Sequence, residues 1–462
     1  MKKNDETEIQ IKKEITKFSS SLNNYLRTEA KVSESDRSLV VAACLFALEN
    51  DRFQKGYRNN RNSKDLLRDM FSAIESTFEK RELRENQRNA ILPNLNFMKS
   101  ISHFNNDIEI DNRYPEKYPL LYTLDKLKEE IYPYLVQGKD LDILGKFYSE
   151  FLKSANGDGK GLGIVLTPEH ITKLFCKLAD LKVDDIVVDT CTGSGAFILA
   201  AGNYMINLTD DKHIKQNIKD NNLYGIEVDS KMFTLLSTNM LIRGKNVKNI
   251  YKRSTFDMVD IMKKKRVNKA LINPPYSQGG NETELNFIEN MLDMLTPSGI
   301  GVCIVPISVA TKVQTKTKKL RDKIFKKHSL LSVMKMNTNL FYKVGTHPII
   351  MVWKAHEPHV KINPDGSRKI NKRTWFADWS NDGLVSVKNQ GRLDINNRWK
   401  DIENQWIHDY EDNVVKQDYS AYERVDIDDE WIIDNFLEPD WNQLNDVEFE
   451  KSSAAYIKFK EE

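Results

Sequence analysis

Between residues 164 and 354, short apolar runs rich in β-branched residues alternate with amphipathic segments, and no other feature restricts the fold as strongly. Strands separated by helix-length segments pair in parallel, with the helices packed over the sheet. The spacing predicts strands in "DIVVDT", "NLYGIEV", "KALIN", "GIGVCIVP", "LLSVMKM" and "HPIIMVW". The expected class is α/β, with a mainly parallel sheet.

The flanks read differently. Residues 6–150 repeat apolar side chains at spacings of three and four, as in "SDRSLVVAACLFALEND" and "DLLRDMFSAIESTFEK", which predicts a helical N-terminal domain over residues 1–150. Ser35 or Asp36 is placed to cap the first of these helices. The glycine-rich "SANGDGKGLG", residues 154–163, reads as a flexible loop and a boundary. A second domain then runs over 151–355, and 356–462 forms a small, irregular or β-rich C-terminal extension. Residues 409–462 carry 17 acidic and 5 basic side chains, so a formal net charge of +2 conceals a basic body and an acidic end, expected as an interaction tail. A basic body suggests a polyanionic partner. No apolar run is long enough to cross a bilayer and no signal peptide is visible, so a cytoplasmic protein without a membrane partner is expected. Cys44, Cys176, Cys191 and Cys303 lack metal-ligand spacing and are expected as buried free thiols.

Three tracts carry chemistry. In "DIVVDTCTGSGAFILAAG" a strand ends in Asp189, turns through Thr190 to Gly195 and enters a helix near Ala196; glycine there admits a ligand close to the backbone. The next strand ends in Glu227, where an α/β fold holds ribose hydroxyls. The glycine spacing is not that of a dinucleotide fingerprint, so a nucleoside without pyrophosphate fits better than a nicotinamide cofactor. Upstream, "GIVLTPEH" places Thr167 and Pro168 as N-cap and first helical residue, in a tract expected to fold over the same cofactor. Downstream, "NPPY" follows "KALI" at the carboxyl end of a strand. Two prolines fix the backbone and remove amide donors, so the Asn273 oxygen and the Pro274 carbonyl become a rigid pair of acceptors beside the Tyr276 ring. Such a pair suits a planar conjugated NH2 group, whose lone pair must be drawn back onto nitrogen before it can attack a methyl donor.

The order "LTP", "DTCTGSGAF", "GIEVD", "NPPY" resembles the S-adenosylmethionine-dependent N6-adenine DNA methyltransferases, and in particular the methylation subunit of type I restriction-modification systems. The resemblance covers roughly residues 120–355. It implies a Rossmann-like S-adenosylmethionine-dependent methyltransferase core, with Asn273, Pro274, Pro275 and Tyr276 as the catalytic tract. It further implies that Leu166, Thr167, Pro168 and the turn Asp189, Thr192, Gly193, Ser194, Gly195 contact the methionine portion of the cofactor, Glu227 its ribose and Val228 its adenine edge. Either Asp257 or no residue supplies a further acid near that adenine. In "NTNLFYKVGTHPIIMVW" the similar segment supplies an aromatic that clamps an extruded base, here Phe341 or Tyr342. The chain departs from many relatives in having Thr190, Cys191 and Thr192 before the glycines. Implied partners are double-stranded DNA, a specificity subunit contacted by the N-terminal helices or the C-terminal tail, and a separate restriction subunit.

An adenine amine inside a duplex is reached only by flipping the base out. The run of eight Lys/Arg and one Asp in residues 311–328 is placed to hold phosphates. Methylation of RNA adenine or of a protein glutamine remains open on the same chemistry, as does an assembly module without turnover. His347, His356 and His359 lack the geometry of a metal site, and there is neither a nucleotide-hydrolysing P-loop nor a nuclease cluster.

Overall fold

A computed structural model describes residues 2–136, 147, 151, 167–276, 282–341, 345–387 and 391–437. The strands are β1 Val187–Asp189, β2 Leu223–Glu227, β3 Ile250–Lys252, β4 Lys269–Ile272, β5 Ile300–Pro306, β6 Ser329–Met336, β7 Pro348–Lys354, β8 Val360–Ile362, β9 Arg368–Ile370, β10 Thr374–Trp379, β11 Val385–Val387, β12 Gly391–Leu393 and β13 Ser420–Glu423. All six expected strands are present. Nine strands form one sheet in the order β13-β10-β6-β7-β5-β4-β1-β2-β3, and β8–β9 and β11–β12 are separate hairpins. From β3 to β5 every neighbour is parallel. β7 inserts antiparallel between β5 and β6, and β10 continues parallel to β6.

The chain builds outward from β1 through β2 to β3, then returns to the other side of β1 as β4. That reversal is a topological switch point, and it opens a crevice at the carboxyl ends of β1 and β4 where α/β sheets take their ligands. Alternate strand residues face opposite layers. Val187, Leu223, Leu271 and Val302 join one buried cluster, and Val188, Ile226, Ile272 and Cys303 the other. Strands covered on both faces explain why the apolar runs are continuous rather than alternating.

The helical N-terminal region shares the first cluster. Every residue of helix Arg37–Leu48 is buried. This region docks on helix Ser230–Ile242: Asn94 Nδ2 donates to the Ser230 carbonyl (2.9 Å) and to Thr234 Oγ1 (3.0 Å), and Gln87 Nε2 to the Val247 carbonyl (2.6 Å). Asp36 stands at the N-cap of helix Arg37–Leu48 but makes no side-chain cap bond; its carboxylate instead receives Lys231 Nζ at 2.6 Å.

Beyond residue 355 the chain is an integral part of the sheet rather than a small appendage, because β10 and β13 extend it. The expected acidic tail is likewise structural as far as it is described. Asp409 is buried and receives Lys416 Nζ at 2.8 and 3.0 Å, and Trp431 is fully buried against Phe325. Residues 438–462 lie outside the described residues. The four cysteines are free thiols, Cys191 being partly exposed and the others buried. Among the described residues no helix is long and apolar enough to cross a membrane.

Candidate active site at the switch point

The turn after β1 is held from below. Thr192 Oγ1 lies 2.9 Å from the Asp189 carbonyl and 3.0 Å from that of Ile226, and accepts the Ile226 N–H at 2.8 Å. Its side chain thus clamps β1 to β2 and is buried. Asn239, on helix Ser230–Ile242, donates to the Ser194 carbonyl at 2.8 Å. Gly193 and Gly195 adopt φ of +54° and +100°, the left-handed region that glycine enters without a Cβ penalty. A Cβ on Gly195 would lie 2.7 Å from Leu236 Cδ1, whereas one on Gly193 would meet nothing within 4 Å. Gly193 therefore borders open space.

Two carboxylates flank this turn. Asp189 is 1% exposed; its Oδ1 accepts the Cys191 N–H at 3.0 Å, and its Oδ2 is buried without a hydrogen-bond partner among the described residues. Burial pushes its pKa up to about 8, with the Glu227 charge adding and the Cys191 N–H opposing. Glu227 accepts the Gly193 N–H on Oε2 and the Asp229 N–H on Oε1, both at 2.7 Å. Burial raises its pKa as well, against those two amides. Val228, the next residue, is 68% exposed, an apolar side chain presented at the carboxyl edge.

Across β1 stands the "NPPY" tract. Asp189 pairs with Gly225, and Val188 with Ala270, so Glu227 and Asn273 each lie two residues further toward the carboxyl edge, on either side of β1. Strand spacing puts them roughly 10 Å apart at one level, each about 8 Å from Asp189. Asn273 Nδ2 donates to Thr167 Oγ1 at 3.1 Å, which joins "LTP" to "NPPY". Pro274 is buried and Pro275 exposed. Tyr276 keeps its hydroxyl buried without a partner among the described residues, and its ring meets that of Phe341 edge-on, 6.3 Å away at 71°. Phe341 is 2% exposed and sits behind Tyr276 with no open ring face. Leu166, Tyr342 and residues 277–280 lie outside the described residues.

Other expectations fare unevenly. Helix Glu169–Leu178 takes Pro168, not Thr167, as its N-cap, one residue later than expected. Asp257 is exposed at the end of a short turn after β3. In the lysine run, four cations already have acidic partners: Lys318 with Asp428, Lys323 with Glu289, Lys326 with Asp322 and Lys327 with Asp293, at 2.5 to 3.1 Å. Arg321 is fully buried, stacked on Trp431 and donating to the carbonyls of Val309, Ala310, Ile427 and Asp429. Lys312 and Lys319 are exposed, the first just before and the second within helix Thr315–Phe325, which follows β5. The three histidines go separately to the carbonyls of Met336, Leu295 and Val425, and no metal cluster occurs among the described residues. The Thr167–Asn273 and Asn239–Ser194 bonds escaped sequence reasoning; a lone Asn within the apolar "MFTLLSTNMLI" was the only available signal for the second.

Residues 139–435 match the family model of N-6 DNA Methylase. The type II restriction enzyme and methyltransferase RM.BcgI of Heyndrickxia coagulans is 33% identical over 392 residues, 82% of this chain and 59% of that protein. The type I restriction enzyme EcoEI methylase subunit of Escherichia coli is 24% identical over 262 residues, 50% of this chain and 51% of that one. The chain thus spans little more than half the length of these relatives. Among solved structures, a chain of a type I restriction-modification system superposes with a TM-score of 0.63 at 13% identity, covering 96% of this chain and 94% of that one. The methyltransferase subunit of a type I system from Streptococcus thermophilus gives 0.56 at 16% identity, covering 89% and 96%. These likenesses establish a shared fold, and with the family match over most of its length the chain belongs to the N-6 DNA methylase family.

Proposed function

We propose that the chain methylates the N6 amine of an adenine flipped out of double-stranded DNA, using S-adenosylmethionine, as the modification subunit of a restriction-modification system. The observation that carries this is the register that sets Asn273, the first residue of the acceptor tract, level with Glu227 across β1 at the carboxyl edge where the strand order reverses.

The residues fit the cofactor. Val228 offers an apolar surface for a purine, Glu227 is fixed by two backbone amides with lone pairs left for ribose hydroxyls, and the orphan Oδ2 of Asp189 suits a cation or N–H donor. When bound, S-adenosylmethionine supplies a methyl group made electrophilic by its sulfonium. The protein's own part is to orient the amine. Asn273 Oδ1 and the Pro274 carbonyl accept its two N–H bonds, which localises the lone pair on nitrogen, and Tyr276, braced by Phe341, stacks on the base. The amine held by Asn273 and Pro274 would take the methyl that the sulfonium gives up, and its extra proton would pass to water. The transfer needs alignment more than a strong base.

Phosphate contacts fall to Lys312 and Lys319, exposed residues that follow β5 in the chain, rather than to Lys323, Lys326 and Lys327, which already hold Glu289, Asp322 and Asp293. Sequence reading is assigned to a separate specificity subunit, on the resemblance to the methylation subunits of type I systems. A restriction subunit would complete the system.

The test is transfer of tritiated methyl from S-adenosylmethionine to DNA, RNA and protein by the chain with its native subunits. N6-methyladenine in DNA is expected, and its loss in Asn273→Ala. Label confined to RNA or to glutamine would refute the DNA assignment, and no label in any substrate would refute turnover.

A further inference from the structure

We infer that Thr167 is the positioning residue for Asn273: its hydroxyl oxygen receives the Asn273 amide N–H and so turns Oδ1 toward the substrate amine. This deepens, and rests on, the methyl-transfer reading above.

An asparagine amide has one accepting and one donating end, and the two are nearly identical in shape. With Nδ2 facing the substrate, donor would oppose donor and the amine would lose an acceptor. Something must therefore fix the flip. Two local features leave Oδ1 available to the substrate when Thr167 takes Nδ2. Asparagine oxygens commonly accept a backbone N–H one or two residues further on, in an Asx turn. Here both following residues are proline and have no N–H, so the backbone cannot claim Oδ1. The other end is taken by Thr167, whose Oγ1 lies 3.1 Å from Nδ2.

Thr167 is free for this task because it does not cap its helix. Helix Glu169–Leu178 begins at Glu169, and the Pro168 carbonyl accepts the Ile171 and Thr172 amides at 3.0 and 3.2 Å. The proline after Thr167 holds the chain extended, with Pro168 at φ −60° and ψ 145°. Thr167 and Asn273 are 106 residues apart in sequence, so the bond also couples the cofactor-side tract to the end of β4. The hydroxyl, not the methyl, carries the role, so serine should serve in its place.

The experiment compares Thr167→Val, Thr167→Ser and Asn273→Ala in the full chain with its native subunits, using S-adenosylmethionine and plasmid DNA free of N6-methyladenine. Valine is expected to lower kcat roughly 10- to 100-fold while leaving both KM values within about twofold, the pattern of a misaligned acceptor. Serine should restore kcat to within about threefold of the natural chain. If valine leaves kcat unchanged, or raises KM for S-adenosylmethionine alone, Thr167 is a cofactor contact and the inference fails. Equal losses in serine and valine also overturn it. Thermal unfolding checks that each variant folds, and Thr167→Ala replaces valine if valine does not. Unchanged turnover in Asn273→Ala would remove the methyl-transfer reading itself, whatever Thr167 does.

Discussion

If S-adenosylmethionine binds as proposed, Asp189 links its binding to a proton. Its carboxyl is wholly buried, one oxygen has no partner among the described residues, and its pKa is raised to about 8. At pH 7 such a group is about 90% protonated in the free protein. A ligand that brings positive charge to that oxygen must drive the proton off. Binding of S-adenosylmethionine at pH 7 should therefore release about 0.9 proton, and affinity should rise roughly ninefold from pH 6 to 7 and fivefold from 7 to 8, then level off.

Isothermal calorimetry in phosphate and in Tris, whose ionisation heats differ, counts the protons directly. 5′-Methylthioadenosine is the control, since it keeps the adenine and ribose proposed to meet Val228 and Glu227 but has neither sulfonium nor ammonium. Its binding should release few protons, and Asp189→Asn should remove the difference between the two ligands. Equal release by both ligands would refute the assignment of Asp189 to the charged part of the cofactor. The stability sign runs the other way. Between about pH 4 and 8 the unfolded chain has lost a proton that the folded chain keeps, so stability falls as pH rises, and Asp189→Asn should raise the unfolding temperature at pH 8. The gain is on the order of a few kcal/mol.

Three further outcomes are expected. Gly195→Ala, at φ +100° and 2.7 Å from Leu236 Cδ1, should cost about 2–4 kcal/mol in denaturant unfolding; Gly193→Ala, with open space around its Cβ, should cost only about 1 kcal/mol yet weaken S-adenosylmethionine binding. Changing Lys312 and Lys319 to Gln should reduce the salt dependence of DNA binding, d log K/d log[salt], by about 2, whereas the same change at Lys323 and Lys326, already paired with Glu289 and Asp322, should leave it nearly unaltered. Arg321→Met should lower the unfolding free energy by roughly 3 kcal/mol or more, because it strands buried carbonyls, without altering the salt slope.

The central strands were legible because a parallel sheet buried on both faces leaves continuous apolar runs, as in "GIGVCIVP" and "HPIIMVW". β3 was not, being three residues at the sheet edge with only Ile250 buried. β10 lies in a stretch read only as irregular or β-rich, because Trp375 and Trp379 stand among charged and polar residues and show no clear strand pattern. "NPPY" and the glycine turn were legible because their chemistry is local, each set by neighbours within a few residues. Charge pairing is not local. The lysine run looked uniform, yet Glu289, Asp293 and Asp428, up to 110 residues from their partners, each hold one of its lysines in an ion pair. Thr-Pro was misplaced by one residue because either residue can precede a first turn, and only Asn273 reveals where the hydroxyl goes.

The two flanking regions attach at the segments that set the site. On the N-terminal side, Asn94 and Asp36 grip Ser230, Lys231 and Thr234 in the first turn of helix Ser230–Ile242. The same helix begins at Asp229, whose N–H holds Glu227, and carries Asn239, which holds the Ser194 carbonyl. On the other side, Asn337 donates to the Ser380 carbonyl at 2.7 Å and receives Arg392, itself paired with buried Asp382. Asn337 also caps the turn leading to Phe341, the ring behind Tyr276. A load on either flank would therefore act on a helix or a turn that bears directly on one of these residues, one flank reaching Glu227 and the other the Phe341 ring against Tyr276.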